Sequence, residues 1–122
     1  MRYAMTAACA AAMILAATGM ALAHAELKSS VPEKDATLKT APTEVSIEFT
    51  EEINPKLSLI VVGDAKGRHV DKGDSHLVGD DAKHLSVDLN ALPAGVYTVT
   101  WTSVAADDGH KLSDKFTFTV AP

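Results

Sequence analysis

The chain has 122 residues, 11 basic and 16 acidic side chains, a net charge of −5 with histidine neutral, and one cysteine, Cys9. A net negative chain lacks the basic patch that phosphate contacts require, which argues against nucleic acid as a partner. One cysteine cannot form a disulfide within the chain, so stability must come from a packed core.

Residues 1–23, MRYAMTAACAAAMILAATGMALA, carry Arg2 as their one charged side chain, an apolar run from Ala7 to Ala17 and the ending Ala21-Leu22-Ala23. A basic start, a short apolar core and an A-x-A ending predict a secretory signal peptide. The run is short for a spanning helix of about 20 residues, and the charged stretch from Glu26 to Lys28 follows quickly. A retained anchor is the alternative. Cleavage after Ala23 leaves a mature domain, residues 24–122, that begins at His24. It is 99 residues long with ten basic and sixteen acidic side chains, or −6. Cys9 and all four methionines (Met1, Met5, Met13, Met20) leave with the peptide, while His24, His69, His76, His84 and His110 stay. The mature chain therefore has nitrogen and oxygen ligands but no sulfur.

Ninety-nine residues suit one domain with one core. A short strand is expected around Leu27. Ala41-Pro42-Thr43 then breaks the chain before Val45, Ile47 and Phe49, which alternate with polar residues as a half-buried strand does. A strand from Leu57 to Val62 follows, and Gly63 to Gly67 turns into a short one near His69 and Val70. Asp74 to His84, DSHLVGDDAKH, is polar and reads as a surface loop. Leu85, Val87 and Leu89 alternate again; Leu92-Pro93-Ala94-Gly95 turns into the strand from Tyr97 to Trp101; Phe116, Phe118 and Val120 mark the last. Seven short strands without a helical period predict an all-β antiparallel sandwich, with a small barrel as the alternative. Its core is expected to hold Phe49, Tyr97, Trp101, Phe116 and Phe118.

Between the last two strands lies an acidic turn, Asp107-Asp108-Gly109-His110. A carboxylate and an imidazole two residues apart in extended chain point to the same side. Asp-Gly is also an ordinary turn dipeptide, and a histidine beside it can simply be solvated. The other end of the chain tips the balance. At position one of the mature protein, His24 offers two nitrogens, its α-amine and its imidazole, able to chelate one ion. Cu(II) suits nitrogen and oxygen donors in a tetragonal array, with Asp108 and His110 completing about four ligands. Zn(II) on the same donors would be tetrahedral and remains an alternative. The amine, with an ordinary pKa of about 8, must lose its proton on binding, so affinity should fall in acid.

Four segments, HAELKSSVPEKDATLKTAP from His24, IEFTEEI, LPAGVYTVTW and the D-G-H element followed by FTF, resemble in order and spacing the CopC copper resistance proteins (CopC/PcoC, YobA-like) of the bacterial periplasm. The resemblance covers nearly the whole mature chain. It implies an immunoglobulin-like Greek-key β-sandwich or barrel that binds copper in the periplasm and holds it for, or hands it to, a CopD-like inner-membrane protein or another periplasmic copper protein. It also implies a Cu(II) site on His24, Asp108 and His110, with Glu51 of FTEEI as a further carboxylate. Some members carry a methionine-rich Cu(I) site, which a mature chain without methionine cannot build. A serine usual ahead of the D-x-H element is Ala105 here, and a glycine often found after it is Asp114. His69, His76 and His84 are expected at the surface.

The sequence thus predicts a monomeric Cu(II) carrier or buffer with no enzymatic activity. Two alternatives stand beside it: a copper-dependent oxidative enzyme built on an N-terminal histidine chelate, and a secreted β-sandwich interaction module without metal. The chain is short for the first, and its aromatics look committed to the core.

Overall fold

A computed structural model describes residues 24–122; the predicted signal peptide, residues 1–23, lies outside the described residues. Alternating apolar and polar side chains build eight strands: β1 (Leu27–Val31), β2 (Thr37–Leu38), β3 (Glu44–Phe49), β4 (Leu59–Gly63), β5 (His76–Val78), β6 (Asp81–Asp88), β7 (Gly95–Val104) and β8 (Lys111–Val120). They form two four-stranded sheets, ordered β1-β3-β6-β5 and β2-β8-β7-β4. Pairing is antiparallel except between β2 and β8. The chain changes sheet at every connection except β5 to β6 and β7 to β8, which makes a β-sandwich of the expected class.

The period-two pattern supplies the core directly. Val45, Ile47 and Phe49 of β3, Leu85 and Val87 of β6, Tyr97, Val99 and Trp101 of β7, and Phe116, Phe118 and Val120 of β8 are all buried. Phe49 and Trp101 meet edge-on between the sheets at 5.5 Å, and Tyr97 stacks on Phe118 at 5.4 Å. Such pairs stabilise by about 0.5–1.5 kcal/mol beyond the area they bury.

Three expectations are corrected. The count is eight strands rather than seven, because β2 and β5 are added and the expected strand near His69 is lost; the two-residue β2 is too short to show a period. His69 and Val70 do not form a strand; His69 makes one isolated bridge with Gly63. The stretch from Asp74 to His84 contains β5, a turn and the start of β6 rather than one loop. β5 is the edge strand of its sheet and packs only Leu77 against the core, so its sequence gives almost no apolar alternation.

Candidate metal centre

The two longest strands, β7 and β8, pair along their whole length, from Gly95 opposite Val120 to Val104 opposite Lys111. The loop they carry, Ala105 to His110, is consequently the tip of a rigid hairpin. Two backbone bonds close it, from Ala105 N–H to the His110 carbonyl (2.9 Å) and from Gly109 N–H to the Ala105 carbonyl (3.0 Å). Ala106 N–H donates to the Glu52 carbonyl at 2.9 Å, which ties the tip to the segment after β3.

Asp108 and His110 do come together, although not by strand alternation. Gly109 between them adopts φ 71°, a left-handed conformation that glycine takes without a steric penalty. Asp108 Oδ1 accepts from the His110 backbone N–H at 2.9 Å, and Oδ2 stands 3.7 Å from His110 Nδ1. The pair is an Asx turn. Both side chains remain about two-fifths exposed, 41% for Asp108 and 44% for His110, so an ion could reach them.

His24 arrives from the other sheet's side. Ala25, fully buried, roots the chain in the core, and its carbonyl accepts from the buried Ser103 Oγ at 2.6 Å. Thr50, just past β3, accepts from Glu26 N–H and donates to the His24 carbonyl. Held this way, the His24 ring lies 4.2 Å from the His110 ring, centroid to centroid, at 49°. His24 Nε2 is buried and has no hydrogen-bond partner, the only such side-chain atom among the described residues. A buried unpaired nitrogen costs free energy unless something binds it. Two imidazoles in contact and one orphaned nitrogen suit a metal ion that prefers nitrogen.

The site is incomplete as a set of side chains. Among the described residues no three His, Cys, Asp or Glu side chains are grouped to hold a metal ion. Glu51 is exposed and lines a neighbouring cleft with Glu52, Lys83, Ala105 and Asp107. Three carboxylates against one lysine give that cleft a potential favourable to cations. A second cleft passes His24 itself, lined by Glu26, Leu27, Trp101, Leu112 and Asp114. Asp114 thus shares this cleft with His24. His69 and His76 are exposed; His84 is half-buried on the outer face of β6, opposite Glu48. Thr50 and Ser103 escaped the sequence reading. Ser103 left a signal, a hydroxyl in phase with Tyr97, Val99 and Trp101 on the buried face of β7; Thr50 left none.

The CopC domain family matches residues 27–121. The chain belongs to the CopC family. Among relatives, "Copper resistance protein C" of Escherichia coli is 34% identical over 116 residues, covering 88% of this chain and 90% of that protein. "Copper transport protein CutJ" of Bacillus subtilis is 34% identical over 99 residues, 80% of this chain, but the chain spans only 18% of that longer protein. Two solved CopC-family structures share the fold. CopC from Methylosinus trichosporium OB3b superposes with a TM-score of 0.75 at 28% identity, covering 81% of this chain and 95% of that one. PcoC, described as a methionine-rich copper resistance protein from Escherichia coli, gives 0.67 at 33% identity, covering 81% of this chain and all of that one.

Proposed function

We propose that the protein is exported to the periplasm, is cut after Ala23, and there binds one Cu(II) as a carrier or buffer in copper homeostasis. Copper is the metal that the relatives' names carry, and the donor set here is consistent with it. The observation that carries the reading is the contact between the His24 and His110 rings, 4.2 Å apart although they belong to opposite ends of the domain. Cleavage would turn the His24 amide nitrogen into an amine. That supplies the donor which the side chains alone lack, and a chelate with the imidazole of the same residue. Asp108 and His110 would complete a nitrogen-rich donor set, with Glu51 or its acidic neighbours as a further oxygen.

The valence follows from hardness. With no methionine or cysteine after Met20, the mature chain cannot offer the sulfur donors that favour Cu(I), whereas amine, imidazole and carboxylate favour Cu(II). A site at an exposed hairpin tip is open to a partner, in keeping with a monomer that passes its ion to a CopD-like membrane protein or another periplasmic copper protein. Transfer of an ion, rather than chemistry on a substrate, fits a site whose surroundings are two shallow acidic clefts.

The test is to purify the exported protein, measure its intact mass, and titrate it with Cu(II) and with Cu(I) under competition. The expected result is a chain beginning at His24 that takes one tightly held Cu(II) and loses Cu(I) to the chelator. A chain beginning elsewhere, or equal retention of both valences, overturns the reading.

A further inference from the structure

We infer that Thr50 is a positioning residue for the copper site, the side chain that fixes the first residue of the mature chain where the metal needs it. The inference rests on the reading of His24 as a ligand. The hydrogen bonds of Thr50 go to the backbone rather than to either imidazole. Its Oγ1 donates to the His24 carbonyl at 3.2 Å and accepts from Glu26 N–H at 3.1 Å, while its own N–H donates to the Glu26 carbonyl at 2.8 Å. Glu26 N–H also reaches the His24 carbonyl at 3.0 Å, so the first turn of chain is closed around this one hydroxyl.

A new chain terminus ordinarily frays, because nothing precedes it to share the cost of ordering. Here Ala25 is sunk in the core and its carbonyl is bound by Ser103, which anchors the second residue. Among the described residues, Thr50 Oγ1 is the only side-chain atom that hydrogen-bonds to the His24 backbone. An amine and an imidazole held near their bound geometry lose less freedom when the ion arrives, and the saving appears as affinity. Fixing one backbone residue corresponds to about a tenfold effect on binding.

The chemistry demands a hydroxyl, which donates and accepts at once. Thr50→Ser keeps both bonds, whereas Thr50→Val keeps the shape and loses both. Thr50 is exposed, so neither change opens a cavity in the core. Glu51 is its neighbour, and a trivial route through that carboxylate has to be separated from a route through His24. A double-mutant cycle does so.

The experiment titrates the exported protein with Cu(II) alone, as wild type, Thr50→Val, Thr50→Ser, His24→Ala and the Thr50→Val/His24→Ala double variant. Thermal unfolding of each metal-free protein and the paramagnetic resonance spectrum of each copper complex accompany it. Thr50→Ala serves as the hydroxyl-free variant if Thr50→Val unfolds. The expected result is about tenfold weaker Cu(II) binding and an altered spectrum for Thr50→Val, recovery in Thr50→Ser, and a smaller loss when Thr50→Val is added to His24→Ala, in which only the α-amine of residue 24 is left to position. Wild-type binding by Thr50→Val, with His24→Ala still weakened, overturns the positioning role and leaves the copper site standing. An undiminished Thr50→Val effect in the His24→Ala background also overturns it, since the route would then avoid His24. Wild-type binding by His24→Ala overturns both this inference and the reading beneath it.

Discussion

Replacing Gly109 with alanine separates the geometry of the proposed metal-site turn from its proposed ligands. Gly109 has φ 71°, and a methyl group built on it would meet nothing within 4 Å. No clash contributes, so the whole cost of Gly109→Ala is the backbone preference of an L-residue against the left-handed region, about 1 kcal/mol. In a domain of 99 residues that lowers the melting temperature by about 4–8 °C. The turn cannot escape by relaxing to negative φ without breaking the Gly109 to Ala105 bond and moving His110 away from His24. Cu(II) affinity should therefore fall with stability although no ligand has been removed. Gly109→Asn should cost less on both counts, because asparagine tolerates this conformation better than alanine. Thermal unfolding of the metal-free protein, paired with Cu(II) titration, reads both effects. An alanine variant that melts higher than wild type would refute the reasoning, since stabilisation is expected only where alanine fits the native backbone.

His110→Ala should weaken Cu(II) binding strongly with little change in melting temperature, as its ring is at an exposed loop tip. Asp108→Ala should weaken binding and also lose its cap on the His110 N–H, about 0.5–1 kcal/mol; His76→Ala, on the remote β5, should do neither, and equal behaviour of all three in a Cu(II) titration would refute the site. Stability should decline in acid through Asp64 and Asp74. The N–H of Arg68 holds the Asp64 carboxylate below its ordinary pKa of 3.8, and the N–H of Asp88 does the same for Asp74. A depressed carboxylate contributes above the unfolded value and loses that contribution as pH falls through the folded one. The Asp64→Asn and Asp74→Asn variants should accordingly show a shallower loss of melting temperature below about pH 4.

What the sequence made legible was whatever depended on alternation. Phe49, Tyr97, Trp101, Phe116 and Phe118 lie inside as their phase required, and the long β7–β8 hairpin follows from two runs of period two. β5 was hidden because an edge strand with Leu77 as its only residue on the core has no alternation to read. The Asp108 and His110 spacing led to the right neighbours through the wrong geometry: a turn held by a side-chain cap, not an extended strand, brings them together. The approach of His24 to His110 could not be read from any local pattern. It depends on Ala25 entering the core and on Thr50 and Ser103 binding backbone groups far away in sequence. Contacts of a side chain with a distant carbonyl leave no periodic trace, and only the fold reveals them.

In the proposed site, copper is held by the terminus of the mature chain as well as by its side chains. A Gly-Ser extension ahead of His24 tests it most directly, because the imidazole, Asp108, His110 and Glu51 all remain and only the α-amine becomes an amide. An amide gives up its proton far less readily than an amine of pKa about 8, so one nitrogen donor is lost near neutral pH. Cu(II) affinity and the paramagnetic resonance spectrum of the extended and the cleaved proteins should be compared side by side. The expected result is binding weaker by several orders of magnitude, with changed nitrogen coupling; an extended protein of equal affinity and identical spectrum would contradict the account.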